Sequence, residues 1–411
     1  MMKKDWEIKK QNLEGSTPST CEAGVSPLQT SSLPQHALKV GWQIKKLGEV
    51  CEIINGKNQK AVEDKNGPYP IYGSGGIMGY ASEYLCRENT TIIGRKGSIN
   101  NPLYVEQKFW NVDTAFGFQS KDNYNPKLLF YFCKSFDFNS HNKGTTIPSL
   151  VKSDLLEISI PVPPLEEQKR IVKILDEKFA QLETIKANAQ TNLQNAKDLF
   201  QSQLTKAFSN TTWEKKRLGD CGTFKNGMNF AATDSGYTIR SLGVGDFKDR
   251  YSIDNTESLS EISLKAAPSE DYLLQDGDIV FVRSNGNKEL VGRCLLVYPK
   301  NVPTTYSGFC IRFRKDFDLL DADFLLHFMK AESSRKILNG KEGANISNLN
   351  QKILGDFEVP LPPLPEQKRI VKELDTLSEK VRQLQDIYTK QISDCDELKQ
   401  SLLAKAFEGE L

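Results

Sequence analysis

Apolar residues recur at helical spacing along two long stretches of the chain. The first, 165–208, contains neither Pro nor Gly, and its apolar residues are Val172, Leu175, Phe179, Leu182, Ala189, Leu193, Ala196, Phe200 and Ala207. Towards the end of the chain the corresponding residues are Val371, Leu374, Val381, Leu384, Tyr388, Ile392, Cys395, Leu398 and Leu402. Most intervals are three or four residues, and intervals of seven occur where a polar residue such as Lys186 or Gln203 occupies a stripe position. This spacing predicts amphipathic helices, each with one apolar stripe. Because each stripe needs a surface to cover it, we predict that two helices of about 65 Å form an antiparallel coiled coil.

The two helical stretches belong to a longer internal repeat. The segment PPLEEQKRIVKILD at 163–176 matches PPLPEQKRIVKELD at 362–375, and the match continues without a gap to LTKAF at 204–208 and LAKAF at 403–407. Upstream, WQIKKLG at 42–48 matches WEKKRLG at 213–219. Such self-similarity indicates a tandem duplication of one globular unit followed by one long helix. The Pro-Pro pair and the glutamates behind it favour a helix start in both copies.

The globular parts contain short runs typical of strands between Gly, Asn and Pro clusters. The predicted strands are Thr90–Gly94, 279–282 and 310–313, and an apolar helix follows them in each copy, at 127–133 and 323–329. Each copy closes with a strand-like run into proline, at 158–162 and 357–361. We therefore predict an α+β protein in which two α/β domains, 42–160 and 213–359, are separated by long helices at 161–212 and 360–411. Residues 1–41 are predicted to be a disordered or atypical N-terminal segment because 14–40 are rich in Ser, Thr, Pro and Gly.

Composition limits the classes of function. Hydrophobic residues make up 38% of the 411 residues and charged residues 26%, so packed domains are expected. No apolar run reaches the length of a membrane span and no secretory signal begins the chain, so we expect a cytoplasmic protein. The eight cysteines form no C-x-x-C pair and only three histidines accompany them, which favours buried free thiols over a zinc site. The net charge of +1 means that a nucleic-acid surface would need clustered cations or cations from a partner.

Several motifs together resemble one family. WQIKKLG at 42–48, PYPIYGSGGIMGY at 68–80 and IIGRKGS at 92–98 are followed by the duplicated P-P-L-x-E-Q-K-R-I-V before each long helix. This arrangement is similar to the specificity subunit of type I restriction-modification enzymes, over about residues 42–411. The duplicated helix-start motif is the most specific part of the resemblance. The extra segment 1–41 departs from the pattern.

The resemblance implies a function and a set of partners. Each globular domain would be a target-recognition domain that reads one half of a bipartite, asymmetric DNA target, and the helices would set the gap between the halves. The chain would bind double-stranded DNA, position two methyltransferase subunits and allow restriction subunits to join. It would bind no cofactor itself, because S-adenosylmethionine, ATP and Mg would belong to the partner subunits.

Polar loops at matching places in the two copies are the candidate DNA contacts. Arg can pair with guanine, Asn with adenine, and Lys or Ser with phosphate. The loops after the strands 90–94 and 279–282 are the most specific, because they stand in equivalent places, although an ordinary solvated turn is an equally good interpretation. For the loops at 57–60, 67–80 and 225–229 a polar turn is the favoured interpretation. The loop before Ile147 and Ile346 is a further paired candidate between these two groups. The candidates in the first copy are Lys57, Gln59, Tyr72, Ser74, Arg95, Lys96, Ser98, Thr145 and Thr146. Those in the second copy are Lys225, Asn226, Arg283, Ser284, Asn285, Asn287 and Asn345.

The first turns of the two helices carry a repeated polar block. It contains Gln168 and Arg170 in the first copy and Gln367 and Arg369 in the second. A solvated helix face is the more common role for any one such residue. As a repeated block, these four residues are candidates for docking a partner subunit.

The two alternatives to this function are a catalytic subunit and a scaffold that binds protein. The sequence contains no G-x-x-x-x-G-K-[ST] loop, no H-E-x-x-H, no [ND]-P-P-[FY] tetrapeptide of amino-methyltransferases and no nuclease pattern. We therefore expect a non-catalytic subunit. A coiled-coil scaffold or adaptor that binds protein rather than DNA fits the long helices equally well, whereas two different globular domains on one frame favour recognition of DNA.

Overall fold

The computed structural model describes residues 39–247, 250–338 and 348–411. The described chain forms two compact units. The first contains the residues up to Ala189 together with Lys390–Leu411, and the second contains Gln190–Thr389. The predicted N-terminal segment 1–41 lies outside the described residues except for its last three.

The first unit is built on three small sheets. Its strands are β1 Gln43–Lys46, β2 Cys51–Asn55, β3 Tyr69–Gly73, β4 Gly76–Ala81, β5 Thr90–Gly94, β6 Leu103–Val105, β7 Trp110–Asn111, β8 Ala115–Ser120 and β9 Ser159–Val162. An antiparallel sheet has the order β2-β8-β5-β6, a second sheet has the order β4-β3-β7, and β1 pairs with β9. The short helices are α1 Leu47–Val50, α2 Pro126–Ser135 and α3 Lys152–Leu156. A phenylalanine-rich core joins the four-stranded sheet to α2.

The second unit repeats this plan, with a longer segment between its first and last strands. The long helix α4, Leu165–Ala207, leads into it. Its strands are β10 Lys215–Arg217, β11 Gly222–Asn226, β12 Tyr237–Leu242, β13 Ser252–Ile253, β14 Glu261–Leu264, β15 Asp278–Val282, β16 Cys294–Val297, β17 Thr304–Tyr306, β18 Cys310–Lys315 and β19 Glu358–Pro360. The sheets have the orders β11-β18-β15-β16-β13, β14-β12-β17 and β10-β19. The remaining helices are α5 Ala322–Lys330, α6 Glu332–Leu338, α7 Gln351–Gly355 and α8 Leu364–Glu408.

Parts of α4 and α8 pack together inside each unit. In the first unit Lys186 contacts Asp396 at 2.6 Å and Lys399 pairs with Glu183, so the two helices run antiparallel. In the second unit Ala196, Phe200 and Leu204 of α4 share a core with Ile370, Leu374 and Val381 of α8. The predicted antiparallel helix pair and the α+β class with two α/β domains are confirmed.

Burial corrects one detail of the predicted stripe on α8. Leu384 and Leu398 were placed on the stripe but are 39% and 52% exposed, whereas Leu403 and Phe407 are buried in the core of the first unit. The reason is that α8 does not bury a single straight seam, because it also packs against the globular domains. Phe407, for example, makes an edge-on contact with Phe132 of α2 at 5.6 Å between ring centroids.

The cysteines within the described ranges are all buried free thiols, as predicted for them. Burial raises the pKa of the Cys51, Cys86 and Cys310 thiols to about 12, so they stay protonated near neutral pH. Cys21 lies outside the described residues. None of the described helices is long and apolar enough to cross a membrane.

Candidate nucleic-acid interface

In the first unit, backbone hydrogen bonds hold the ends of several strands close to one another. The loop after β2 is bound to 111–115, because Gly56 N donates to Ala115 O at 3.1 Å and Lys57 N to Asn111 O at 3.0 Å. The loop after β5 joins the same segment, because Arg95 N donates to Thr114 O at 2.8 Å. The loops that carry the candidate residues of the first copy are therefore neighbours in space.

Two more loops join this cluster. Val112 N donates to Tyr72 O at 3.0 Å, which holds the end of β3. Leu150 N donates to Arg95 O at 2.9 Å and Gly97 N to Pro148 O at 3.0 Å, which brings the loop with Thr145 and Thr146 beside the loop after β5. We call these segments, 57–60, 72–76, 94–98, 112–115 and 144–149, the first loop cluster.

Close backbone approach requires glycine within the first loop cluster. A Cβ added at Gly56 would lie 1.8 Å from the Val112 carbonyl oxygen. One added at Gly94 would lie 2.3 Å from the Ser98 carbonyl oxygen and 3.1 Å from the Ser74 Cβ. The loops therefore pack backbone to backbone at these two positions, where a side chain would not fit.

The second unit repeats five of these six backbone hydrogen bonds. Gly227 N donates to Cys310 O, Met228 N to Tyr306 O, Arg283 N to Phe309 O, Leu349 N to Arg283 O and Ser307 N to Leu242 O, all between 2.8 and 3.0 Å. A Cβ at Gly227 would lie 2.1 Å from the Ser307 carbonyl oxygen, as at Gly56 in the first unit. We call the segments 225–229, 242–246, 283–287 and 307–310 the second loop cluster.

The first loop cluster presents unpaired cations. Lys57, Lys60 and Lys96 are exposed, and within the described part of the chain they make no ion pair. Arg95 is half-buried, lies 5.7 Å from the Phe116 ring centroid and donates to the Asp113 carbonyl oxygen at 3.4 Å. Ser98, Thr145 and Thr146 are exposed, and Gln59, Tyr72 and Ser74 are half-buried. The structure brings all nine candidate residues of the first copy to one cluster.

The second loop cluster is less exposed. Lys225 pairs with Asp271 at 3.3 Å and lies 4.7 Å from the Tyr272 ring centroid, so its charge is already engaged. Asn226 is half-buried and its Oδ1 has no hydrogen-bond partner among the described residues. Asn287 is exposed, and Arg283, Ser284 and Asn285 are half-buried. Asn345 lies outside the described residues.

The other loops bind to the segments 112–115 and 307–310, which were not among the residues predicted for the site. Their side chains differ between the copies, since Asp113 and Thr114 correspond to Gly308 and Phe309, so no shared motif marks them. Phe309 is 59% exposed beside Arg283 and Ser284. The hairpin of β3 and β4 also presents Ile77 and Met78, 56% and 63% exposed, at its tip.

Comparison with known proteins places this frame in a family. Residues 39–194 and 210–390 match the type I restriction modification DNA specificity domain. The chain belongs to that family. It is 25% identical to the EcoDI specificity subunit of Escherichia coli over 91% of this chain and 89% of that one. It is 29% identical to the StySPI specificity subunit of Salmonella potsdam over 70% of this chain and 66% of that one.

Solved structures share the fold. A chain from a study of complex assembly and conformational transition of the type I R-M system has a TM-score of 0.74 at 20% identity, over 91% of this chain and 99% of that one. The HsdS subunit of Thermoanaerobacter tengcongensis has a TM-score of 0.56 at 20% identity, over 92% and 99%. The resemblance to type I specificity subunits is confirmed, and the family match supports DNA specificity rather than the scaffold alternative.

In this specificity subunit the glutamines of the helix-start motif fasten the helices to the recognition domains. Gln168 accepts from Asn125 N at 2.6 Å and donates to Pro163 O at 2.8 Å. Gln367 accepts from Asp321 N at 2.8 Å and donates to Pro362 O and Leu319 O, both at 2.7 Å. Asn125 and Asp321 in turn cap α2 and α5 with their side chains.

This corrects the docking hypothesis for the two glutamines. Gln168 and Gln367 are 1% and 0% exposed, so neither side chain is accessible to a partner subunit. Arg170 and Arg369 are exposed but paired with Glu167 and Glu366 on their own helices. The Arg170 guanidinium, helped by Lys39, holds the pKa of Glu167 at about 2. The docking role of the two arginines stays a prediction.

Replacing Gln168 with methionine, which has a similar volume, is expected to destabilise the first unit by about 2 kcal/mol, because it leaves the partly buried Asn125 N–H and the buried Pro163 carbonyl without the Gln168 side chain as a partner. Urea unfolding followed by circular dichroism measures the effect. Gln181→Met is the matched control, since Gln181 is exposed on the same helix. Equal midpoints for the two variants would show that Gln168 contributes no more than a surface residue.

Within the described ranges no group of three or more His, Cys, Asp or Glu side chains could hold a metal ion.

Proposed function

We propose that this chain reads a bipartite, asymmetric DNA target for a type I restriction-modification complex, with one loop cluster reading each half. The observation that carries the proposal is the frame of five backbone hydrogen bonds that recurs in both units while the side chains on it differ. A fixed backbone with variable side chains is suited to reading different base strings, because base edges are read by side chains. The family match supports the same role.

The first loop cluster supports DNA contact through its charge. Lys57, Lys60 and Lys96 are exposed cations on one cluster of a chain whose net charge is +1. Clustered cations neutralise backbone phosphates and hold a protein on the duplex. Arg95, whose guanidinium contacts the Phe116 ring and donates to the Asp113 carbonyl, is the arginine of the four, and a guanidinium can pair bidentately with guanine.

Replacing Arg95 with alanine is expected to reduce methylation of the native target about tenfold, because one bidentate contact to guanine contributes about 1–3 kcal/mol of discrimination. The chain is co-expressed with its methyltransferase subunit, and methylation of host DNA is sequenced. The relaxed position should lie in one half-site only, since Arg95 belongs to one cluster. A palindromic methylation motif would contradict the proposed asymmetric target.

The matched control is Lys65→Ala. Lys65 is exposed in the same unit but lies outside the first loop cluster. The backbone N–H of its neighbour Asp64 donates to the Tyr80 carbonyl oxygen, and Tyr80 is at the open end of the β3–β4 hairpin, whereas Ser74 is at the turn. Its replacement should leave both the motif and the extent of methylation unchanged. Equal losses in the two variants would mean that overall charge, rather than a contact by Arg95, controls methylation.

We further propose two methyltransferase subunits as partners, with restriction subunits as additional ones. Near-equivalent surfaces support this number, because P-P-L-x-E-Q-K-R-I-V and the helix behind it occur twice. S-adenosylmethionine, ATP and Mg are assigned to those partners, and this chain is proposed to be non-catalytic. Cytoplasmic residence is part of the proposal and is supported by the buried free thiols of the described ranges.

Native mass spectrometry of the co-expressed complex is expected to give two methyltransferase subunits for one copy of this chain. The reason is that each repeat offers one docking surface. A methyltransferase excess is supplied so that both surfaces can fill. A complex that stays at one to one under that excess would contradict two equivalent docking surfaces.

A further inference from the structure

A cavity of about 570 Å³ lies within the second unit, where α4, α8 and the recognition domain meet. Its wall combines aromatic and apolar side chains, including Phe200 and Tyr251, with an excess of positive charge. Among the described residues, the cationic side chains that line it are Lys197, Arg250, Arg293, Lys330 and Arg335, and the carboxylate that lines it is Asp386. Because the whole chain has a net charge of +1, this excess is local to the cavity.

Backbone carbonyl groups help to position two of these cations. Lys330 donates to the Arg250 carbonyl oxygen at 2.8 Å, and its ammonium lies 4.1 Å from the Tyr251 ring centroid. Arg335 donates to the Glu289 carbonyl oxygen at 3.1 Å, which orients the guanidinium while leaving its charge in place. Lys197 and Arg250 are exposed at the rim. Burial raises the pKa of the Cys294 thiol at the cavity wall, and the charges of Lys330 and Arg335 oppose that rise.

We propose that this cavity binds a phosphate group. Arginine forks match phosphate oxygens geometrically, and lysines add point charges around them. The cavity also adjoins the second loop cluster, since the lining residue Gly292 donates its backbone N–H to the carbonyl oxygen of Val282, the residue before the loop 283–287, at 2.9 Å. The phosphate can come from the backbone of bound DNA or from a free molecule such as a nucleotide. The DNA source rests on the proposed function, whereas the free-phosphate source does not.

The test uses the full chain and two kinds of probe. Sodium pyrophosphate and ATP are titrated in a calorimeter, and a DNA duplex of mixed sequence is titrated by fluorescence anisotropy at several salt concentrations. The first variant combines Lys197→Gln with Arg250→Gln, both exposed side chains, and the second adds Arg335→Gln. The control combines Lys372→Gln with Lys380→Gln, two exposed cations of α8 that do not line the cavity.

If the phosphate belongs to a free molecule, both cavity variants should bind pyrophosphate or ATP at least tenfold more weakly than the unchanged chain. The salt dependence of DNA binding should then be unchanged. A DNA source predicts no binding of the free anions, and a salt slope that falls by roughly 1 for each phosphate that the variant no longer neutralises. Cavity variants that match the control in every titration would overturn the proposal. A chain that binds no duplex at all would count against the proposed function, and the free-anion titrations would still decide the cavity.

Discussion

Replacing Gly56 with alanine is expected to destabilise the first unit by about 3 kcal/mol, the upper part of the range for overpacking a close contact. The new Cβ would lie 1.8 Å from the Val112 carbonyl oxygen and 2.8 Å from the Ala115 carbonyl oxygen. Both are backbone atoms, so no side-chain rotation relieves the clash. The Gly56 N–H bond to Ala115 would break as the loop moves away, and Lys57 would move with it.

The measurement is thermal unfolding of the full chain, followed by DNA binding at a temperature where the variant is folded. A destabilisation of about 3 kcal/mol corresponds to a fall of roughly 6–12 °C in the midpoint of a unit of this size. Gly75→Ala is the matched control, because nothing lies within 4 Å of its added Cβ and the residue stands in the same loop cluster. If both variants unfold at the same midpoint temperature, the close backbone contact at Gly56 does not constrain the fold.

The long helices and the repeat could be predicted from sequence because both are encoded locally. An apolar residue every three or four positions, without Pro or Gly, leaves few alternatives to a helix, and α4 indeed spans Leu165–Ala207. Short strands such as β5 were also marked by β-branched residues between turn signals. The order of the strands in the sheets was not predictable, since it depends on pairings between distant segments such as β2 with β8.

The sequence predicted which segments form the candidate site, but it did not predict the contacts of their side chains. The backbone N–H groups of Arg95 and Arg283 make equivalent hydrogen bonds, as the similarity of TTIIGR and DIVFVR indicated. Nothing local showed that Lys225 would pair with Asp271, because the two residues are far apart along the chain. The glutamines illustrate the same limit. A polar residue in a first helical turn is usually solvated, and only the fold reveals that Gln168 and Gln367 cap the backbone of another element.

Lengthening both long helices by four residues is expected to widen the gap between the two DNA half-sites by one or two base pairs. The insertions lie between Ala189 and Gln190 in α4 and between Thr389 and Lys390 in α8, where the chain passes from one unit to the other. Contacts inside each unit, such as Lys186 with Asp396, are thereby kept. Four residues add roughly 6 Å to a helix at 1.5 Å per residue, and DNA advances about 3.4 Å per base pair. The addition also turns each helix by only about 40° beyond a full turn, so the apolar stripes stay nearly aligned.

Methylation sequencing of a host that carries the lengthened chain and its methyltransferase measures the gap directly. The bases of each half-site should not change, because both loop clusters are untouched, and the original target should no longer be methylated. An insertion in α4 alone is the control. It leaves α8 shorter than its partner helix, so we expect a lower unfolding midpoint and weaker methylation rather than a clean new gap. A folded, active double-insertion chain that keeps the original gap would show that the helices serve as a docking surface and do not set the spacing.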